Sequence, residues 1–123
     1  MARTTVKKSK TVTLDAAGQS VGRLATEVSQ LLQGKRDPGY EPRIDSGVAV
    51  EVKNISKLKF TGKKLDQKIY YHYSGYPGGM RERQLKDVLA RSPAEVLRRT
   101  VWNMLPKNRQ RKDRMKRLTV AKE

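Results

Sequence analysis

The side chains that could carry out catalysis are few in this chain, and their spacing does not assemble a site. His72 is the single histidine, so neither a histidine-based metal cluster nor a second, spare imidazole for a serine relay is available. Thr61-Gly62-Lys63-Lys64 resembles a phosphate loop but lacks the earlier glycine and the hydroxyl after the lysine. Cysteine is absent, which excludes a thiolate nucleophile and a zinc finger. The residues therefore give no support for catalysis, and the sequence predicts no cofactor. The scattered carboxylates, whose spacing indicates no metal pair, include Asp15, Asp45, Asp66 and Asp87.

The alternative to catalysis is binding of a partner, and the stretch from Tyr70 to Met80 is the best candidate for a binding site. Four of the five tyrosines of the chain lie here, around a turn rich in glycine. An aromatic ring can stack on an unpaired base, and glycine allows the backbone to approach a ligand closely. A tyrosine-rich strand followed by an ordinary turn is the alternative. The predicted contact residues of this stretch are His72, Tyr73, Ser74, Gly75, Tyr76, Pro77, Gly78 and Gly79.

The charge of the chain indicates the partner. Its 123 residues are enough for one domain with a real core, and 28 Lys and Arg against 12 Asp and Glu give a net charge of +16. Self-repulsion of this size destabilises a compact fold unless a polyanion neutralises it, which favours nucleic acid as the partner. An anionic membrane surface fits less well, because no stretch approaches the roughly 20 apolar residues of a spanning helix.

Three segments carry much of this charge. Residues 1–10 predict a short, flexible basic arm that is too polar for a signal peptide, ahead of a single α/β domain over residues 11–123. The segment 107–117 has seven positive charges and one acid, so it predicts an RNA or DNA contact rather than a merely solvated face. Between them, an irregular loop from Lys35 to Ser46 resembles a phosphate-facing surface. The cations of the loop and of the C-terminal segment are Lys35, Arg36, Arg43, Lys107, Arg109, Arg111, Lys112, Arg114, Lys116 and Arg117.

The first half of the domain has the pattern strand, helix, strand. Thr11 to Asp15 alternates as a short strand, and valines at alternate positions from Val48 to Val52 predict a core strand. Between them an apolar stripe recurs at three-to-four spacing, with Ser20 as the N-cap and Gly34 as the C-cap of the predicted helix. This order favours a crossover between parallel strands. The stripe consists of Val21, Leu24, Ala25, Val28, Leu31 and Leu32.

The second half predicts two more helices. Leu85, Val88 and Leu89 mark the first, and Ser92-Pro93-Ala94-Glu95 has the pattern of a reciprocal capping box at the start of the next. The apolar face of this last helix is formed by Val96, Leu97, Val101 and Met104, and Pro106 ends it. Packing on this helix is favoured for Trp102 over base stacking. Strand alternation makes one of Tyr70 and Tyr71 a core residue.

A set of fragments resembles, in order and spacing, the bacterial-type family of large-subunit ribosomal protein L-thirteen. The match runs from about Val12 to Val120. A single fragment would be weak evidence, but eight fragments in the same order and spacing are specific. The chain departs from the family pattern at Val48, Trp102, Asn103 and Gln110, and it ends at Glu123 without the usual Tyr-Ala-Gly. The matching fragments are Asp15-Ala16-x-Gly18, Val21 to Ala25, Gly34-Lys35, Asp45-x-Gly47, Thr61 to Lys64, Lys68-x-Tyr70, Ser74 to Gly79 and Met104 to Lys107.

The resemblance implies a three-layer α/β domain, with a small, mostly parallel sheet of about four strands and helices on both faces. It also implies binding to 23S-type ribosomal RNA, neighbouring large-subunit proteins as further partners, support of subunit assembly, and no catalysis. The protein would be located in cytoplasmic or organellar ribosomes. It would have no membrane partner and no small-molecule substrate, and it would not be an obligate homo-oligomer. By position, the glycine loop and the segment 107–117 would face RNA, with Arg23, Lys35, Lys63 and Lys64 as further candidates.

Two rival classes share parts of this pattern. A DNA-binding architectural module would carry the same charge but would bind duplex DNA as well as folded ribosomal RNA. An RNA-processing enzyme would show turnover.

Overall fold

The computed structural model describes residues 10–121 and has a mixed α/β architecture. Of the predicted basic arm, residues 1–9 lie outside the described residues. A 3-10 turn, Ile55–Lys57, follows the second strand of the chain. In chain order the elements are β1 (Thr11–Asp15), α1 (Val21–Gln33), β2 (Ala49–Lys53), α2 (Lys64–Gln67), β3 (Ile69–Tyr73), β4 (Met80–Gln84), α3 (Leu85–Arg91), α4 (Pro93–Met104), α5 (Gln110–Lys116) and β5 (Leu118–Val120).

Strands β1, β2 and β5 form a parallel sheet in that spatial order. Val12 is opposite Val50, and Val50 is in turn opposite Leu118, so the last strand of the described chain pairs with the second. Helix α1 connects β1 to β2 as a parallel crossover, which confirms the strand, helix, strand prediction. The last strand, β5, is three residues long.

The core lies on one face of this sheet. Side chains alternate along each strand, so Val50 and Val52 are buried in β2 while Thr11 and Thr13 of β1 are exposed. The apolar stripe of α1 packs into the same core together with residues of α3 and α4, including Leu85 and Leu97. The mixed α/β class with a mostly parallel sheet is thus confirmed, although within residues 10–121 the exposed threonines leave the second face of the sheet largely uncovered.

A separate antiparallel hairpin accounts for the remaining strands. β3 and β4 pair over five residues each, from Ile69 opposite Gln84 to Tyr73 opposite Met80. The expectation of a parallel sheet of about four strands is corrected to three parallel strands plus this hairpin. β4 has no counterpart in the sequence interpretation, because all five of its residues are exposed and it lacks an apolar face.

The three predicted helix caps have different outcomes. Ser20 is at the N-cap position of α1, but its side chain makes no capping hydrogen bond. Gly34 ends α1 with φ of +76°, a left-handed conformation that favours glycine, as predicted. The capping box of α4 does not form: Pro93 is in the first turn, but the Ser92 side chain makes no capping hydrogen bond. Glu95 instead accepts a hydrogen bond from Arg99 at 2.8 Å, because the arginine one turn later is within reach of the carboxylate.

A cluster of charged side chains fastens the Lys35–Ser46 loop to the C-terminal elements. Arg117 donates from both terminal nitrogens to the Asp45 carboxylate, at 2.6 and 2.7 Å, and from Nε to the Val48 carbonyl at 3.1 Å. Arg114 is almost fully buried beside it, with Nε 3.9 Å from Asp45 Oδ1 and a hydrogen bond of 2.8 Å from Nη2 to Gln110. One carboxylate therefore compensates two largely buried guanidinium groups.

This cluster makes the fold sensitive to acid. Burial by itself would raise the pKa of the Asp45 carboxyl. The pKa is nevertheless lowered, because the carboxylate is stabilised by the hydrogen bond and charge of Arg117, by the Gly47 amide and by the charge of Arg114. A carboxyl with a lowered folded-state pKa contributes stability that is present above its unfolded pKa of about 3.9 and is lost as pH falls through the folded value. We expect the unfolding free energy to decrease below about pH 4. Asp45→Asn should flatten this part of the pH profile, measured by denaturant unfolding.

Candidate nucleic-acid interface

The glycine-rich loop forms the tip of the β3–β4 hairpin. The Ser74 amide donates to the Gly79 carbonyl at 3.3 Å, and the Gly79 amide donates to the Tyr76 carbonyl at 2.9 Å, which closes the turn. Gly75 and Gly78 have φ of +91° and +74°, and an added Cβ at either would meet no atom within 4 Å. Glycine is therefore needed here for the backbone conformation, and the loop leaves open space in front of these two residues.

Exposed aromatic side chains flank this tip. Tyr76 is 75% exposed, and Tyr71 and Tyr73 are 63% and 58% exposed on β3. Tyr70 is half-buried against the core, so the prediction that one of the two adjacent tyrosines is a core residue is confirmed. Large exposed apolar side chains grouped on one element mark an interaction surface more often than a free one. The hairpin therefore presents rings that no other part of the described chain covers.

Gly79 offers a direct test of the loop. A Cβ at this position would contact the Ser74 hydroxyl and lie 2.9 Å from the Tyr76 carbonyl oxygen. Gly79→Ala should therefore displace the tip, because the Ser74 side chain and the Tyr76 carbonyl must move to make room for the added carbon, while the core is untouched. We expect weaker binding to a large-subunit ribosomal RNA fragment with little change in melting temperature. Gly39→Ala, where the added carbon meets nothing within 4 Å, is the matched control. Equal losses of melting temperature and binding would make the loop structural only.

A cationic groove lies between the hairpin and helix α4. It has a volume of about 1040 Å³. Four arginines line it, and sequence reasoning missed all of them as contact residues. The sequence did contain an indication of these residues, because Arg81 and Arg83 alternate in β4 and Arg98 and Arg99 are adjacent in α4. What was missing was the tertiary arrangement that brings the two pairs together. The other residues of the groove are Tyr70, Tyr71, His72, Glu95, Trp102, Asn103 and Met115.

Trp102 separates this groove from a smaller basic cavity. The Arg111 guanidinium stacks on its ring at 3.9 Å from the centroid, and Arg111 Nε donates to the Trp102 carbonyl at 2.9 Å. The ring is half-buried, and it contributes both to the groove and to the cavity on its other side. The basic cavity on the other side has a volume of about 490 Å³ and is lined by Trp102 with Lys107, Asn108, Arg109, Arg111 and Lys112.

Two cations of the predicted contact segment face inwards. Arg114 is 2% exposed and Arg117 is held by Asp45, Val48 and the Leu32 carbonyl. Their side chains are used within the fold, which corrects the expectation that the whole run 107–117 faces a polyanion. A buried guanidinium remains with its internal carboxylate because breaking the pair would leave a charge uncompensated. Lys107, Arg109, Lys112 and Lys116 are exposed, and the segment is helical in its second half.

The remaining candidates are on two other surfaces. Arg23 and Lys64 line a cavity of about 760 Å³ at the start of α1, together with Lys59, and Lys63 is exposed next to them. In the Lys35–Ser46 loop, Lys35, Arg36 and Arg43 are all exposed. Arg36 is 3.2 Å from Glu27 and Arg43 is 3.5 Å from Glu41. Exposed pairs of this kind contribute about 0 to 1 kcal/mol, so both arginines can exchange their carboxylate for a phosphate.

Other kinds of site are not apparent in the described part of the chain. Residues 10–121 contain no group of three or more His, Cys, Asp or Glu arranged to hold a metal ion. Over the same range no helix is long and apolar enough to cross a membrane.

A small, strongly basic α/β protein with exposed rings beside unpaired arginines has the surface that is expected of the polyanion-binding class of proteins. Comparison with known sequences assigns the family within this class. The model of the family described as Ribosomal protein L13 matches residues 9–123. The chain belongs to this family, whose members are ribosomal constituents rather than enzymes.

Curated relatives agree with the family model over most of the chain. All three of the following are named large ribosomal subunit protein uL13. The protein from Rubrobacter xylanophilus is 43% identical over 120 residues, which cover 98% of this chain and 84% of the relative. The Aquifex aeolicus protein is 50% identical over 107 residues, 87% of this chain and 74% of the relative. The Chloroflexus aggregans protein is 48% identical over the same length, 87% and 75%.

Proposed function

We propose that this protein is a structural constituent of the large ribosomal subunit that binds 23S-type ribosomal RNA and supports subunit assembly and translation. The observation that carries the proposal is the grouping of exposed tyrosines around the open glycine loop of the β3–β4 hairpin. The names of the relatives, all large-subunit proteins, support the same assignment. Its location would accordingly be the ribosome, and its further partners neighbouring large-subunit proteins.

Binding would combine an unspecific and a specific component. Lysines and arginines neutralise phosphates and release counterions, which gives a strong attraction that depends on salt but not on sequence. Specificity would come from the shape of folded RNA, read by the hairpin tip. At the tip, Gly75 and Gly78 have left-handed backbone conformations and would let the backbone approach the RNA closely. Tyr73 and Tyr76 would supply rings for stacking on unpaired bases. Arginine forks are suited to pairs of phosphate oxygens.

The residues proposed to contact RNA are those of the predicted set whose side chains are not used inside the fold. Arg114 and Arg117 are left out because their charges are compensated inside the fold. Arg111 stays in, since its guanidinium covers Trp102 at the wall of the basic cavity. The proposed contacts are Arg23, Lys35, Arg36, Arg43, Lys63, Lys64, His72, Tyr73, Ser74, Gly75, Tyr76, Pro77, Gly78, Gly79, Lys107, Arg109, Arg111, Lys112 and Lys116.

A competition experiment tests the proposal against a DNA-binding module. Labelled large-subunit ribosomal RNA fragment is bound at a moderate salt concentration, and unlabelled duplex DNA or unlabelled fragment is added. Counterion release acts on both polyanions, whereas shape recognition acts only on the folded RNA. The fragment should compete at least about tenfold better than DNA of equal charge. Equal competition would favour the architectural DNA-binding class.

A further inference from the structure

The groove between the hairpin and helix α4 has two walls of matched composition. On the hairpin, Tyr70 is paired with Arg83 and His72 with Arg81, and residues directly opposite in an antiparallel pair share a face. The helix wall is formed by side chains one helical turn apart, at positions 95, 98, 99, 102 and 103. The two elements therefore direct side chains of the same chemical kind, arginine and aromatic, into one space.

Most of the charge in this space has no partner in the protein. Arg99 is paired with Glu95 at 2.8 Å and lies over the Tyr70 ring at 4.9 Å from its centroid. Among the described residues, Arg81, Arg83 and Arg98 have no ion pair or side-chain hydrogen bond, and all three are exposed. Three guanidinium groups on facing walls repel one another unless an anion lies between them. Guanidinium is the side chain best suited to binding phosphate oxygens in pairs.

An aromatic side chain forms part of the wall of the groove. Trp102 lines both the groove and the basic cavity, and the stacked Arg111 fixes the ring in place. Asn103, exposed beside it, has an amide with two donors and an acceptor, the groups that the edge of a base pairs with. The groove thus combines phosphate-binding arginines with a ring and an amide, which match the two parts of a nucleotide.

We infer that this groove binds an unpaired stretch of RNA, with phosphates on Arg81, Arg83 and Arg98 and a base against Trp102. The inference rests on the proposed RNA-binding function and adds the residues and the kind of RNA. Unpaired nucleotides are favoured over duplex because paired bases hide their faces in the helical stack, and the deep major groove of RNA does not admit side chains. The groove, at about 1040 Å³, is large enough for a nucleotide with its neighbouring phosphates.

Trp102 is the single tryptophan of the chain, so its fluorescence reports on the groove directly. A short single-stranded RNA and the same strand annealed to its complement are titrated into the wild-type protein. Stacking of a base on the indole should quench the fluorescence with saturation for the single strand. The duplex should bind at least about tenfold more weakly at the same salt concentration, because base stacking on an aromatic ring contributes a discrimination of this order. Equal quenching by duplex and single strand would overturn the inference.

Substitutions separate the groove from the general charge of the protein. The triple variant Arg81→Gln, Arg83→Gln, Arg98→Gln should bind the single strand at least about tenfold more weakly, with a salt slope smaller by about 2. The matched control removes three exposed cations that line none of the three cavities, by Lys53→Gln, Lys86→Gln and Arg91→Gln, and should change affinity less than threefold. If the triple variant does not fold, Arg98→Gln alone, at an exposed helix position, carries the test.

These experiments distinguish a wrong inference about the groove from a wrong proposed function. If wild-type protein does not bind large-subunit ribosomal RNA fragments in preference to DNA, the proposed function is wrong. If the fragments bind, but the triple variant binds them as wild type does and Trp102 is not quenched, only the groove is excluded. Loss of quenching and of affinity in the triple variant, with both kept in the control, supports the inference.

Discussion

Asp45→Asn should lower the unfolding free energy of the isolated protein by about 3 kcal/mol, a large effect for an exchange of nearly equal volume. The carboxylate is the acceptor for both terminal nitrogens of Arg117 and the nearest anion to the buried Arg114. Its neutralisation leaves two guanidinium groups without an opposite charge in an environment that water reaches poorly. For a domain of this length the loss corresponds to roughly 10 °C in melting temperature, measured by circular dichroism.

Asp37→Asn is the matched control, because Asp37 is an exposed aspartate of the same loop. Its exchange should change the unfolding free energy by less than about 0.5 kcal/mol. A double-mutant cycle of Asp45→Asn with Arg117→Gln should show that the second substitution costs little once the first is present, since the shared interaction is already lost. Additive losses, or a melting temperature of Asp45→Asn equal to that of the control, would show that the cluster does not fasten the loop.

Combined replacement of Lys107, Arg109 and Lys112 with alanine should weaken binding to a large-subunit ribosomal RNA fragment about a hundredfold near physiological salt. All three side chains are exposed at the basic cavity beside Trp102. Each phosphate contact contributes about 0.7 to 0.9 to the slope of log affinity against log salt concentration, so the slope should become smaller by about 2 to 3. The measurement is a binding titration at four or more salt concentrations.

The choice of residues in this variant depends on the structure. A variant that included Arg114 would remove a buried partner of Asp45, and a loss of folding would then resemble a loss of binding. The melting temperature of the three-alanine variant should stay close to that of the wild type. Removing three cations elsewhere, at Lys53, Lys86 and Arg91, should leave the salt slope nearly unchanged. An unchanged slope in the Lys107, Arg109 and Lys112 variant would exclude the segment from the interface.

Elements with a strong hydrophobic period were predictable from the sequence. The apolar stripe of α1 and the alternating valines of β2 each define one face that must be buried, so the elements and their orientation follow from the sequence. Gly34 ends the helix because glycine readily adopts the left-handed conformation at the C-cap. Strand β4 has no such period: its sequence Met-Arg-Glu-Arg-Gln is exposed throughout, and only pairing with the tyrosines of β3 makes it a strand. The hairpin loop was recognisable because its turn residues are informative by themselves.

The geometry of the candidate site was predictable where contacts are local, and it was not predictable where contacts join distant segments. In a run of seven cations, nothing in the run itself tells that two of them face inwards. Their partner Asp45 is 72 residues away from Arg117 and belongs to a different loop. The groove arginines escaped prediction for the same reason, because β4 and α4 become neighbours only after the hairpin packs. The capping box of α4 failed through a competing partner, Arg99, which lies on the same helix face as Glu95.

Sedimentation with ribosomal subunits tests the central claim most directly. Purified protein is mixed with large subunits assembled without it, and the mixture is centrifuged through a sucrose gradient at high salt, where unspecific attraction between charges is screened. The protein should sediment with the large subunits and not with small subunits in a parallel gradient. The Lys107, Arg109 and Lys112 variant should be found mainly in the unbound fraction. Wild-type protein that stays unbound at high salt, or that distributes equally between the two subunits, would contradict the assignment.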